Sequence, residues 1–114
     1  MTKLKEIVDE LQLAVRCTAD QLERDVSGGY ASDLLSDVIA NSKPGNLWIT
    51  MQTHVNIVAV AVLKELAAIV IVQGREPAEE TLKKAREEKV TLLVSKYPAY
   101  ETSGKLYSLG IGST

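Results

Sequence analysis

Five consecutive apolar residues, Ala68-Ile69-Val70-Ile71-Val72, constrain this chain more than any other stretch. Four of them are β-branched, and stiff branched side chains favour extended backbone. No polar residue alternates with them, so the strand they predict is buried on both faces. Such a strand belongs inside a parallel sheet with helices above and below it. The rest of the chain must then supply neighbouring strands and the helices that cover them.

The patterning supplies both. Thr2 is placed to cap a first helix whose Leu4, Ile7, Val8 and Leu11 fall at helical spacing. Leu11, Leu13 and Val15 alternate with polar or small residues as in a half-buried strand, and Asp20 to Arg24 reads as a helical turn. Val26 opens a strand that the pair Gly28-Gly29 is expected to end. A helix from Ala31 to Asn41 follows, with Leu34, Leu35, Val38 and Ile39 on one face, and Lys43-Pro44-Gly45 stops it. Leu47 to Met51 is a strand, and Val55 to Ala67 is a helix that is apolar almost all round. After Val72, Gly74 closes the strand and Pro77 suits the first turn of a charged surface helix, Ala78 to Glu88. Val90 to Val94 is the next strand. Tyr100 to Leu109 is a last helix with Gly104 as its weak point, and Gly110 to Thr114 is expected to be loose.

Strand and helix thus alternate four times, which predicts an α/β fold: a small, mostly parallel sheet flanked by helices in two or three layers. With 114 residues the chain suits a single domain, residues 1–114, with its core at about 3–109. The net charge of −2, with basic residues scattered among acids, argues against nucleic acid as the partner. A lone cysteine, Cys17, has no internal disulfide partner, which fits a reducing cytoplasm. The start, Met1-Thr2-Lys3-Leu4-Lys5-Glu6, lacks the apolar run of a signal peptide. The longest apolar stretch, Ile57 to Val72, is interrupted by Lys64-Glu65 and is too short to span a bilayer. A soluble cytoplasmic protein without membrane contact is expected.

Ligands of open α/β sheets sit beyond the C-terminal strand ends. The pattern places Ser27, Gly28, Gly29 and Tyr30 there, with Gln52, Thr53 and His54, with Gln73, Gly74 and Arg75, and with Ser95 and Lys96. Paired glycines before a helix let a ligand approach the backbone and the unpaired N–H groups of the first turn. The same residues also suit a tight turn and helix capping. Ser27-Gly28-Gly29 is neither a Walker loop nor the dinucleotide fingerprint. His54 has no second ligand for a metal and no nucleophile beside it, which points to a capping role. Cys17 beside Arg16 suits a buried apolar thiol better than a reactive one. Asp33 and Asp37, one helical turn apart, could hold a cation or lie on a solvated helix face. Tyr30 could stack on a ring. No catalytic set converges and no cofactor or metal is expected. The all-apolar helix favours a homo-oligomer, most simply a homodimer.

The stretches Val26 to Ser36, Ala68 to Pro77 and Val90 to Val94 together resemble the DRTGG domain, which is similar in fold to the N-terminal domain of HPr kinase/phosphorylase. Gly29-Tyr30-Ala31 stands where that family has Gly-Asp-Arg, and Val72-Gln73-Gly74 where it has Thr-Gly-Gly. The resemblance implies a non-catalytic regulatory module, often dimeric, whose kinase relatives carry their Walker loop in another domain. It leaves two expectations. One is a stand-alone regulatory domain that binds a small anionic metabolite or nucleotide at the strand ends. The other is an interaction module that docks on a separately encoded enzyme without a ligand of its own.

Overall fold

The computed structural model describes residues 2–112. Its elements in chain order are β1 (Thr2–Lys3), α1 (Leu4–Leu11), β2 (Ala14–Cys17), a 3-10 turn (Ala19–Gln21), β3 (Asp25–Val26), β4 (Gly28–Ala31), α2 (Leu35–Asn41), β5 (Asn46–Thr50), α3 (Asn56–Leu63), β6 (Ala68–Ile71), α4 (Glu79–Glu88), β7 (Leu92–Val94) and α5 (Ala99–Ser108). Five strands form one sheet in the order β2-β7-β6-β5-β4, and β1 and β3 make a separate antiparallel pair. β4, β5, β6 and β7 run parallel, while β2 closes one edge antiparallel to β7. The apolar run 68–71 is the central strand, and each of its residues is wholly buried.

The period-2 geometry of the strands divides the core in two. Trp48, Ile69, Ile71, Leu92 and Val94 face Val38 of α2, Ile57 and Val58 of α3, and Ala85 of α4. Leu47, Ile49, Val70 and Leu93 face the other way, onto Leu4, Ile7 and Leu11 of α1 and Leu106 of α5. Three helices therefore cover one face and two cover the other. That is the arrangement right-handed crossovers between neighbouring parallel strands produce.

Several local expectations give way to tertiary contacts. Thr2 lies in β1 rather than capping α1, whose N-cap is Lys3 without a side-chain cap. The glycines do not end a strand; Gly28 and Gly29 are its first half, and α2 begins only at Leu35. α3 stops at Leu63, because Glu65 takes a positive φ of 53° and Leu66-Ala67 turn into β6. The segment after α5 is not loose where it is described: Ile111 is buried, and the Gly112 carbonyl accepts from the Gly29 N–H at 3.0 Å. Ser113 and Thr114 lie outside the described residues.

The apolar face foreseen for residues 31–41 is split. Val38 enters the core, whereas Leu34 is 65% and Ile39 39% exposed. α3 is divided in the same way, with Ile57, Val58, Val60 and Ala61 buried and Val55, Val62 and Leu63 exposed.

Candidate functional site

The C-terminal ends of β4, β5, β6 and β7 meet along one rim of the sheet. Asp33 follows β4 and locks the first two ends together. Its Oδ1 accepts from the Thr50 hydroxyl at 2.8 Å and from the Met51 N–H at 2.7 Å, and its carbonyl accepts from Gln52 Nε2 at 3.0 Å. One residue earlier, the Ser32 carbonyl accepts from Trp48 Nε1 at 2.8 Å. Thr53 fixes the next helix: its carbonyl accepts from the Thr81 hydroxyl at 2.7 Å and from the Ala78 N–H at 3.2 Å.

Gln73 and Gly74 take successive left-handed conformations, with φ of 61° and 63°. That sharp turn aims their N–H groups at the end of β7, where Tyr97 and Ser95 carbonyls accept them at 2.9 and 2.8 Å. Beneath them the Ser95 and Thr102 hydroxyls share a buried hydrogen bond of 2.8 Å. The Gln73 and Gly74 N–H groups, which a ligand would want, are therefore spent within the fold. What reaches outward from this rim is side chain: His54, Gln73, Arg75 and Lys96 are all exposed.

The residues selected from sequence do not converge. Gln52, Thr53 and His54 leave β5, and Gln73 and Gly74 leave β6, so these five share the rim. Ser27 lies at the opposite end of the sheet. Its hydroxyl donates to the Pro44 carbonyl at 2.7 Å and accepts from Asn46 Nδ2 at 3.1 Å. Gly28 pairs with Asn46 beside it, roughly 13 Å of strand from the rim at about 3.3 Å per residue. Gly29 and Tyr30 sit mid-strand and face opposite layers. The Tyr30 hydroxyl donates to the Asp37 carboxylate at 2.8 and 2.9 Å, so the ring braces α2 rather than standing free to stack. Donors on Ser32, Tyr30 and Asn41 hold the Asp37 carboxyl below the usual carboxylate range. In return, hydrogen bonding to Asp37, then burial, pushes the Tyr30 hydroxyl upward.

Asp33 and Asp37 consequently serve different partners and form no carboxylate pair. Cys17 is buried, and burial raises its thiol pKa despite Arg86 nearby. Among the described residues, no group of three or more His, Cys, Asp or Glu is arranged to hold a metal ion. Likewise, no helix of the described residues is long and apolar enough to cross a membrane.

The concave feature that sequence reasoning missed lies between β4 and α5. A cavity of about 180 Å³ is lined by Gly29, Ala31 and Ile49 of the sheet, by Ser103, Leu106 and Tyr107 of α5, and by Ile111 and Gly112. Glycine at position 29 is what opens it, since a Cβ there would stand 3.6 Å from both Ile111 Cγ2 and Ile49 Cδ1. The sequence signal was present as small residues at 29, 103 and 112. Only the returning segment 110–112 gives them a common location.

Comparison with known proteins bears on this geometry. The model of the DRTGG domain family matches residues 6–109. Among solved structures, the chain is similar to the crystal structure of the CBS and DRTGG domains of the regulatory region of Clostridium perfringens pyrophosphatase, complexed with its activator diadenosine tetraphosphate. The TM-score is 0.73 at 16% identity, over 92% of this chain and 46% of that one. The chain thus spans about half the length of that regulatory region, and at this identity the likeness is one of fold. No curated protein matches.

Proposed function

Because this chain belongs to the DRTGG domain family, we propose that it is a non-catalytic regulatory module that works by association, with a second copy of itself docked on α2 and α3. The observation that carries this reading is the outer surface of those two helices. Leu34, Ile39, Val55, Val62 and Leu63 are all exposed there. Between residues 34–42 and 55–63 the one charged side chain is Asp37, and Tyr30 and Asn41 already engage it. A mostly apolar face, whose one carboxylate is held by its own neighbours, can meet its own image across a two-fold axis. The regulatory setting of the Clostridium perfringens domain supports the reading at the level of the family.

The face is small. Helices of 7 and 8 residues are only about 10–12 Å long, so the interface falls at the low end of specific contacts. A dissociation constant on the order of micromolar is expected. Light scattering over a dilution series tests it: a shift from two copies to one supports the dimer. A monomer throughout overturns it in favour of docking on a separately encoded enzyme.

A second reading keeps the rim in play. His54, Gln73, Arg75 and Lys96 leave three adjacent strand ends, with Gln52, Thr53 and Gly74 between them. That set suits a small anionic metabolite or the phosphates of a nucleotide. Ser27 and Gly28 take no part in it. Such a ligand stabilises the fold by mass action, so a thermal-shift series with phosphate and nucleotides reads it directly. Unchanged melting across the series removes it.

A further inference from the structure

The cavity between β4 and α5 belongs to neither the rim nor the α2/α3 face, and its chemistry is different from both. None of its lining residues is charged, so a phosphate or carboxylate finds no counter-charge there. Its walls are largely apolar: Ile49 and Leu106 are buried side chains, Ile111 closes one end, and Tyr107 stands at the mouth with most of its ring exposed. The volume of about 180 Å³ is below that of a drug-sized site and suits one planar ring.

The polar groups come from the backbone of an edge strand. β4 pairs with β5 on one side only. The Ser32 N–H donates to Ile49, toward β5, while the Gly29 N–H donates to Gly112, away from it. Because successive residues alternate, the Gly29 carbonyl and the Ala31 N–H also point away from β5. Neither has a hydrogen-bond partner among the described residues. An acceptor and a donor thus stand side by side on the edge of an apolar slot. That combination complements a flat heteroaromatic ring carrying a neighbouring donor and acceptor on one edge. Glycine at 29 leaves room for the ring, and Tyr107 offers an aromatic face to lie against it.

We propose that this slot binds the base of a nucleoside, through the Gly29 carbonyl and the Ala31 N–H, with Tyr107 covering the ring. The proposal does not depend on dimerisation or on the anion reading of the rim.

Amide NMR of the full chain titrated separately with adenosine, guanosine, cytidine and uridine tests it. At least one nucleoside should shift the amides of Gly29, Ala31, Ser103 and Gly112 in a saturable way. Inorganic phosphate should leave those four amides unmoved, and any response at His54, Gln73 and Arg75 then reports the rim separately. Gly29→Ala places its methyl group at ordinary contact distance, so it should fold while weakening the nucleoside by tenfold or more. Ser103→Trp, made on the outer wall, should abolish the shifts. No saturable shift with any of the four nucleosides overturns the proposal. So do shifts that survive in both variants while their spectra show the native fold.

Discussion

α3 and α4 are neighbours on the same face of the same sheet, and they are built on opposite plans. α4 sends Thr81 and Ala85 inward and surrounds them with Glu79, Glu80, Lys83, Lys84, Arg86, Glu87 and Glu88. α3 buries Ile57, Val58, Val60 and Ala61, yet its outer side is Val55, Val62 and Leu63. Both helices cover β-strand side chains, so covering the sheet cannot be the reason for the difference. A small inward contact satisfies that need in α4. The apolar outer side of α3 is surplus to the core, and α2 beside it continues the surplus with Leu34 and Ile39. Single exposed apolar residues are ordinary on any protein, but five of them on and beside two packed helices are what a contact surface would show.

Substitutions on each side of α3 in turn separate its two roles. Ile57→Ala removes a fully buried side chain and should cost about 2–5 kcal/mol in denaturant unfolding. A loss below about 1 kcal/mol would mean that α3 is not an integral part of the core. On the opposite side, Leu63→Glu puts a charge on the outer surface. It should raise the dimer dissociation constant by tenfold or more, about 1.4 kcal/mol, while leaving the melting of the dilute monomer little changed. Sedimentation of both proteins at matched concentrations decides this, and equal association sinks the docking face.

A smaller effect concerns how α2 is anchored. The Asp37 carboxyl is held below its usual pKa, so the stability it contributes is present above the ordinary carboxylate range and lost as pH falls through the lowered folded value. Tyr30→Phe removes one of its donors. The variant should be less stable than the native protein at neutral pH, and the gap should narrow in acid as Asp37 protonates. Parallel acid-unfolding curves with a constant gap would show that the Tyr30 contact is not charge-assisted. Least of all should happen on α4, where Lys84→Glu is expected to change stability by no more than about 0.5 kcal/mol and association not at all. A change in association there would mean that the charged helix, too, is a contact surface.

Much of this fold was legible because it is written locally. The run Ala68 to Val72 announces a central buried strand, and Leu4, Ile7, Val8 and Leu11 announce the buried stripe of α1. The order of β4 to β7 follows from regular alternation with helices. What could not be read depends on distant partners. Gly28-Gly29 has the local chemistry of a turn, but parallel pairing with Asn46 and Leu47 makes it strand. That shift by a few residues moved Ser27 and Gly28 to the far end of the sheet and dissolved the site assembled around them. Asp33 looked like half of a carboxylate pair, yet its use is set by Thr50 and Met51, 17 and 18 residues away. The slot beside Gly29 was hidden for the same reason, because its wall comes from residues 103–112. The spacing of residues 31–41 predicts one apolar stripe, but β4 is the last strand of the sheet and leaves Leu34 and Ile39 nothing to cover.

The two edges of the sheet also face a hazard common to all open sheets. An uncovered strand is a template on which other chains can grow as aggregates. β2 guards its side with charge, through Arg16 paired to Glu76 at 2.7 Å. β4 has no charge to offer: its residues are Gly28, Gly29, Tyr30 and Ala31. There the strap of residues 110–112 takes over, with Ile111 packed in and Gly112 bonded to Gly29. Of the two glycines that make this edge permissive, Gly29 is thereby tied to a third. A strap in that place should limit fibre-like stacking, and loosening it should show first as lost solubility rather than lost fold.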